Sequence, residues 1–282
     1  MKKILTFTDG SRYAPSVYDH SAWAAGRLQA SLQLIHTLNP HRETAARADL
    51  SGSLGFDARD SLLDEMVAFD RQRAQLSQKK GEAILADATE RLNAAGIEYV
   101  ATEQRHGLFV DVLEDLHEEA ELIVIGKRGK NASIEMKHLG TNIERTLRVA
   151  HRPVLVASRD FKPINSFALA YDGGPASQKA LEYALNSPLL KGLKANVITV
   201  GNAKDHAQAQ KAGESLKNAG FEVNVALKEG SPAKAIAEEV ENSSSDLLVM
   251  GAYGHSKYKR LLIGSTTAAL VRDCHVPVLM FR

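Results

Sequence analysis

Gly251-Ala252-Tyr253-Gly254, nine further residues, and then Gly264-Ser265-Thr266-Thr267 form the stretch whose reading decides the fold. It follows Leu247-Leu248-Val249-Met250, an apolar run without alternation, as expected of a parallel strand covered on both faces. Glycines at the end of such a strand let the backbone turn tightly and approach a ligand where a Cβ would clash. Gly264-Ser265 then opens a helix, whose free N–H groups and positive dipole end attract phosphate. The hydroxyls of Ser265, Thr266 and Thr267 add donors. A lone G-x2-G is a turn; the coincidence of strand, two glycines, a long loop and Gly-Ser at a helix start is what reads as a phosphate cradle.

The stretch has an echo. Leu122-Ile123-Val124-Ile125 leads into Gly126-Lys127-Arg128-Gly129, and Gly140-Thr141 follows after ten residues instead of nine. Working outward, Ile4 to Gly10 matches Phe167 to Gly173, Leu32 to Thr37 matches Ala195 to Val200, and Ala95 to Val100 matches Ala219 to Asn224. Val149 to Val156 likewise answers Asp273 to Met280, so the chain is a duplication. Helical patterns lie between these strands, at Ala14 to Ala30, Leu76 to Ala95, Phe109 to Ala120 and Thr141 to Val149 in the first half. Their counterparts are Ala176 to Leu190, Ala207 to Ala219, Pro232 to Glu241 and Ser265 to Arg272. Alternating strands and helices imply parallel pairing with right-handed crossovers. The expected fold is α/β: two tandem, doubly wound, five-stranded parallel sheets of order 3-2-1-4-5 with helices on both faces. The expected domains are residues 1–158 and 159–282.

One asymmetry breaks the repeat. The first half carries an extra segment between about Asn39 and Lys80, with a loop signal at Ser51 to Gly55 and then Leu62, Leu63, Met66, Val67 and Phe69 at helical spacing. It reads as an elongated helix with a surface loop, or as a lid or dimer contact.

Composition narrows the function. Lys and Arg number 35 against 34 Asp and Glu, a net charge of +1, so no overall field concentrates nucleic acid or anionic membrane. Cys274 is the one cysteine, which rules out an intrachain disulfide or a cysteine-based zinc cluster and fits a reducing cytoplasm. Asp9 to Arg12 cut the apolar start too early for a signal peptide, and no apolar run is long enough to span a membrane. A soluble, cytoplasmic chain is expected, with no nucleic-acid and no membrane partner.

In an open parallel sheet, ligands bind beyond the carboxyl ends of strands where the winding reverses. Asp172 ends the first strand of its half and Gly251 the fourth, so the order 3-2-1-4-5 makes them neighbours. Asp172 could hold a divalent cation or cap a turn. His255, inside the loop, is the one histidine worth testing; Cys274 reads as a buried thiol and Trp23 as core. Neither a G-x4-G-K-[ST] loop, a G-x-G-x-x-G turn after the first strand nor a G-x-S-x-G elbow is present.

On these residues the chain resembles a tandem universal stress protein, along essentially its whole length. That family's ATP signature is G-x2-G-x9-G-[ST], which Gly251, Gly254, Gly264 and Ser265 satisfy. The resemblance implies that Asp172 lies near phosphates, ribose and Mg2+, that Val200 offers backbone contacts to adenine, and that Ala170, Tyr171 and Met250 line the base and sugar pocket. It implies phosphate contacts from Ser265, Thr266 and Thr267. In the first half the same roles fall on Phe7, Thr8, Asp9, Thr37, Gly126, Gly129, Gly140 and Thr141, with a longer loop made basic by Lys127, Arg128, Lys130 and Lys137. It also implies that the last strands, Pro153 to Val156 and Pro277 to Met280, pair across a two-fold inside the chain as an internal pseudo-dimer, with homodimerisation left open. The leading expectation is a cytoplasmic stress-response protein whose cofactors are ATP and Mg2+, acting as a nucleotide-dependent regulatory module with the second half as the better site. Its protein partners are unnamed by the sequence. The alternatives are a slow ATP hydrolase, at most a weak one without a committed general base, and a metabolite- or lipid-binding protein using the first-half pocket.

Overall fold

The computed structural model describes residues 2–39, 56–127, 141–252 and 264–282. The first half contributes β1 (Lys3–Phe7), α1 (Ala14–Leu28), β2 (Ser31–Leu38), α2 (Phe56–Ala94), β3 (Val100–His106), α3 (Phe109–Leu116), β4 (Leu122–Gly126), α4 (Thr141–Val149) and β5 (Val154–Ala157). The second contributes β6 (Ser166–Ala170), α5 (Pro175–Asn186), β7 (Lys194–Val200), α6 (Ala203–Asn218), β8 (Val223–Lys228), α7 (Pro232–Asn242), β9 (Leu247–Gly251), α8 (Ser265–Asp273) and β10 (Val278–Phe281). Proline in the first turn of α1, α5 and α7 fixes φ where no intrahelical N–H is needed. Among the described residues no helix is long and apolar enough to cross a membrane.

Each half has the strand order 3-2-1-4-5, but the two sheets are not separate. They fuse into one ten-stranded sheet of order β3-β2-β1-β4-β5-β10-β9-β6-β7-β8. Neighbours within each half are parallel, and the join is antiparallel, with Val278 opposite Val156, Leu279 opposite Leu155 and Met280 opposite Val154. The expected pairing of the last strands is therefore present within one chain.

The unbroken apolar runs have a direct physical reading. Ile4, Leu122 and Val124 face one core, while Leu5, Ile123 and Ile125 face the other, because successive strand side chains alternate between faces. The first core is closed by α1, α2, α5 and α6, through residues such as Val17, Leu92, Ala180 and Leu216. The second is closed by α3, α4, α7 and α8, through Leu113, Leu147, Ile236 and Leu270. Each core draws residues from both halves, so burial is continuous across the β5–β10 join.

The helix ends show why the repeat was legible and where its register slipped. After α2, Gly96 has φ +84°, its N–H donating to the Asn93 carbonyl while the N–H of Ile97 reaches Leu92. After α6, Gly220 has φ +91°, with the same pair of bonds from Gly220 to Lys217 and from Phe221 to Leu216. Both are Schellman endings, which need a left-handed residue. The stretches matched as third strands, Ala95 to Val100 and Ala219 to Asn224, are thus mostly helix exits, and pairing begins at Val100 and Val223. Helix α6 starts ahead of the expected Ala207 because Asn202 and Asp205 form a capping box. The pattern expected to be helical through Ala120 tightens to a 3-10 turn over His117–Glu119.

The extra segment of the first half is largely helix: α2 runs unbroken for 39 residues from Phe56 into the part that packs on the sheet. Residues 40–55, including the Ser51 to Gly55 loop signal, lie outside the described residues.

His20 of α1 is fully buried where the helix meets the end of β5. Its Nδ1 donates to the Ser16 carbonyl at 2.6 Å, its ring stacks edge-on against Phe161, and Ser16 Oγ donates to the Ser158 carbonyl at 2.9 Å. Burial holds the ring's pKa below its ordinary 6.5, against the smaller opposing effect of the Ser16 hydrogen bond. The unfolded chain therefore binds this proton more readily, and stability is lost as pH falls below 6.5 toward the folded-state value. Urea titrations across pH 7.5 to about 5 should show this loss, and a His20→Gln variant should flatten the slope.

Candidate functional site

The carboxyl ends of β6 and β9 lie side by side, with Ala170 opposite Met250 in their parallel register. Tyr171 continues beyond β6 with its N–H on the Ile198 carbonyl at 2.9 Å, and Asp172 follows, exposed at the strand end. The expected switch point is therefore formed, and it gathers Ala170, Tyr171, Asp172, Met250 and Gly251. Val200 stands at the matching end of β7, next to β6 in the sheet. Ala170, Tyr171 and Val200 are half-buried and Met250 is buried.

Asp172 builds its own turn. Its Oδ1 accepts from the Gly174 N–H at 2.9 Å and from Ser177 Oγ at 2.6 Å, joining the strand end to the first turn of α5. Asp9 does the first part of this in the other half, with Oδ1 accepting from the Ser11 N–H at 2.9 Å. Ala14 stands where Ser177 would be, so the hydroxyl tie is confined to the second half. The sequence carried a sign of Ser177, five residues after Asp172, that the motif reading passed over. Among the described residues, no group of three or more His, Cys, Asp and Glu forms a metal cage.

Gly251 is required by packing. A Cβ there would lie 2.7 Å from Ala176 Cβ and 3.0 Å from the Ser177 backbone nitrogen, so the glycine lets the start of α5 close against the end of β9. This is a second reason for the glycine beside the expected one, direct approach to a phosphate. Gly264 is different. It has φ −59° and ψ 144°, and among the described residues the nearest atom to a Cβ there is Thr267 Oγ1 at an ordinary 3.7 Å.

Helix α8 begins after Gly264 with no side-chain cap and no acidic residue in its first turn, unlike α6 with its capping box. Ser265 is exposed and Thr266 half-buried. Thr267 is placed otherwise: it is buried, and its hydroxyl donates to the Ala252 carbonyl at 3.0 Å, fastening the helix start to the end of β9. That bond engages the hydroxyl for which a phosphate contact is expected. Gly254 and His255 lie outside the described residues, as do Gly129 and Gly140 of the first half; of Thr141 the structure describes only that it starts α4.

The first half reproduces the framework with different side chains. Thr8 and Phe7 are buried, Thr8 sharing a 2.7 Å hydrogen bond with the Tyr18 hydroxyl, while Asp9, Thr37 and Gly126 are half-buried at the strand ends. Tyr13 stands where Ala176 stands in the second half and is stacked by Arg12, 4.8 Å from the ring centroid. Lys127 occupies the position of the buried Ala252 and donates to the Cys274 carbonyl of the other half. Tyr13, Gly126 and Lys127 line a cavity of about 670 Å³ that also takes in Cys274 and Val276, within the size range of small-molecule sites.

A family model described as the universal stress protein family matches residues 1–158 and again 164–282. The chain belongs to the universal stress protein family. A universal stress protein of Synechocystis sp. is 38% identical over an alignment of 287 positions that covers all of both chains. A universal stress protein from Archaeoglobus fulgidus superposes with TM-score 0.74 at 22% identity, over 99% of this chain and 98% of that one. A putative universal stress protein from Pseudomonas aeruginosa gives 0.65 at 17% identity, over 100% and 93%. At those identities the two structures establish the fold.

Two outcomes check this geometry. Gly251→Val should lower stability by about 1–3 kcal/mol in chemical denaturation, because the added atoms meet α5 backbone. Cys274 is buried, and burial pushes its thiol up to about 11, so it should resist a thiol reagent at neutral pH and react once the chain is unfolded.

Proposed function

We propose that the chain is a cytoplasmic, ATP-binding regulatory module of the stress response, with the better nucleotide site in its second half. The observation that carries this reading is the uncapped, acid-free start of α8 beside the β6–β9 switch point. Such a helix end presents backbone N–H groups and a positive dipole to an anion. Gly264 fits the group as well, since its backbone and side-chain direction are not crowded by the described residues. In this reading the N–H groups of α8, with Ser265 and Thr266, hold phosphate oxygens. Val200, Ala170, Tyr171 and Met250 flank the adenosine. Asp172 meets a Mg2+ brought in with the phosphates, an ion that keeps most of its waters and takes only one or two protein carboxylates. Bound Mg2+ would neutralise phosphate charge.

The engagement of Asp172 Oδ1 by two donors supports binding over hydrolysis, because a carboxylate fixed in a turn is a weak candidate for a general base. The first half differs at Tyr13, Ala14 and Lys127, the positions that shape the second site, and this supports unequal affinity. Binding to the folded form alone stabilises it and can shift which conformation a partner meets.

A thermal titration tests the reading. ATP with Mg2+ at a hundred times Kd stabilises by about 2.7 kcal/mol, and Tm should rise by about 5 °C. Gly264→Asp is the informative variant. Asp is a favoured N-cap, so the ligand-free Tm should hold or rise, while the carboxylate repels phosphate and the ATP-dependent shift should vanish. A wild-type chain that ignores millimolar ATP, or a Gly264→Asp chain that keeps the full shift, would sink the proposal.

A further inference from the structure

Few buried polar atoms in a native fold lack a hydrogen-bond partner, and each that does asks for an explanation, a bound ion being one. His117 carries such an atom. The side chain is 6% exposed, and its Nδ1 is buried with no hydrogen-bond partner. A second imidazole lies beside it: the ring centroid of His151 is 5.5 Å away, with the two planes tilted by 56°, and His151 is exposed. His117 opens the 3-10 turn after α3, and His151 follows the end of α4. These helices lead into β4 and β5 at the amino ends of the strands, so the pair lies at the opposite end of the first half from its switch point.

The spacing suits two imidazoles on one ion. A Zn–N bond of about 2.1 Å, with about 1.1 Å more to the ring centre, puts each centroid about 3.2 Å from the metal; a tetrahedral angle then sets the centroids about 5.2 Å apart. The observed separation is within a few tenths of an ångström of that, and the exposed His151 has room to turn a nitrogen toward the ion. The repeat confines the pair to the first half. His275 answers His151, but Asn242 stands where His117 would be.

Donor chemistry names the ion. Imidazole nitrogen suits Zn2+, Cu2+ and Ni2+, whereas Mg2+ and Ca2+ take oxygen. Among the described residues no third His, Cys, Asp or Glu completes a cage, so the remaining positions fall to water, as at an open, exchangeable site. The neighbouring charged side chains are otherwise engaged: Glu119 by Lys3, Glu121 by Lys2, and Arg152 by the Glu118 carbonyl. None of these contacts uses either imidazole. We propose that His117 and His151 form a two-histidine site for a borderline divalent transition-metal ion, Zn2+ or Cu2+. It shares no residue with the nucleotide site, so it stands or falls independently of ATP binding.

Zn2+ alone, titrated into the nucleotide-free chain in competition with a chromophoric chelator, tests the site. One ion per chain should bind with a Kd on the order of 10 μM or tighter, and millimolar Mg2+ should not displace it. His151→Gln should weaken binding at least about tenfold while circular dichroism and ion-free Tm stay unchanged, because that side chain is exposed. His151→Cys supplies a thiolate and should restore it. His117→Gln, checked for fold by circular dichroism, should lose the ion as well, and His275→Gln, at the repeat-related position, should keep it. With Cu2+ in place of Zn2+, electron paramagnetic resonance should show two imidazole nitrogens in the wild-type chain and one in His151→Gln. No Zn2+ bound at about 0.1 mM, full binding in His151→Gln, loss in His275→Gln, or a wild-type Cu2+ spectrum with a single nitrogen would overturn the proposal.

Discussion

Each five-stranded half ends in a strand with one unpaired edge, β5 in the first and β10 in the second. Their antiparallel pairing is the contact on which the rest of the molecule depends. An exposed, fully apolar edge is a template for uncontrolled association. Val154 to Ala157 and Val278 to Phe281 are buried throughout, so neither edge could stand alone in water. Joining them satisfies the backbone and merges the halves' cores on both faces of the sheet. The outer strands left at the sheet's two ends, β3 and β8, are the more polar and exposed ones, and these can face solvent.

The join also sets the relation between the two candidate sites. Because it is antiparallel, the carboxyl ends of the strands in one half lie at the opposite end of the sheet from those in the other. Each half thus has its own switch point, far from its twin's, and its own set of loops. Side chains from one half still reach the other, as Lys127 does at the Cys274 carbonyl and Arg282 at that of Arg148. Duplication supplied two copies of one framework, and later substitutions were free to act on each. The hydroxyl tie of Ser177 to Asp172, the small Ala176 and the buried Ala252 belong to the second half. Tyr13 with its stacked Arg12, and the cation of Lys127, give the first half a bulkier and more basic setting.

Helix α2 is the other departure from the repeat. Its last turns do what α6 does, closing a core and ending in a Schellman turn. Its first turns extend the same backbone hydrogen bonding, and among the described residues the buried hydrophobic side chains of the helix begin at Leu85. Propensity and neighbouring helix sustain such an extension.

The sequence by itself determined the strand and helix alternation, the parallel pairing within each half and the convergence of Asp172 with Gly251. These follow from apolar runs, glycine positions and strand order, all short-range or topological constraints. It marked the last strands as apolar edges in need of a partner, while their pairing with each other was implied by the family resemblance. Other features depended on which atoms meet in space. The spacing of Gly251 told of a glycine, yet only packing showed that Ala176 and Ser177 demand it. Thr267 reads like its neighbours Ser265 and Thr266, but one turn of helix rotates its hydroxyl inward to Ala252. Asp172 reads from sequence as a metal ligand or a turn cap, and only the structure shows that Gly174 and Ser177 donate to its Oδ1. Periodicity specifies elements because each depends on its own residues; the role of a side chain depends on neighbours brought from elsewhere in the chain, and tertiary structure alone supplies those.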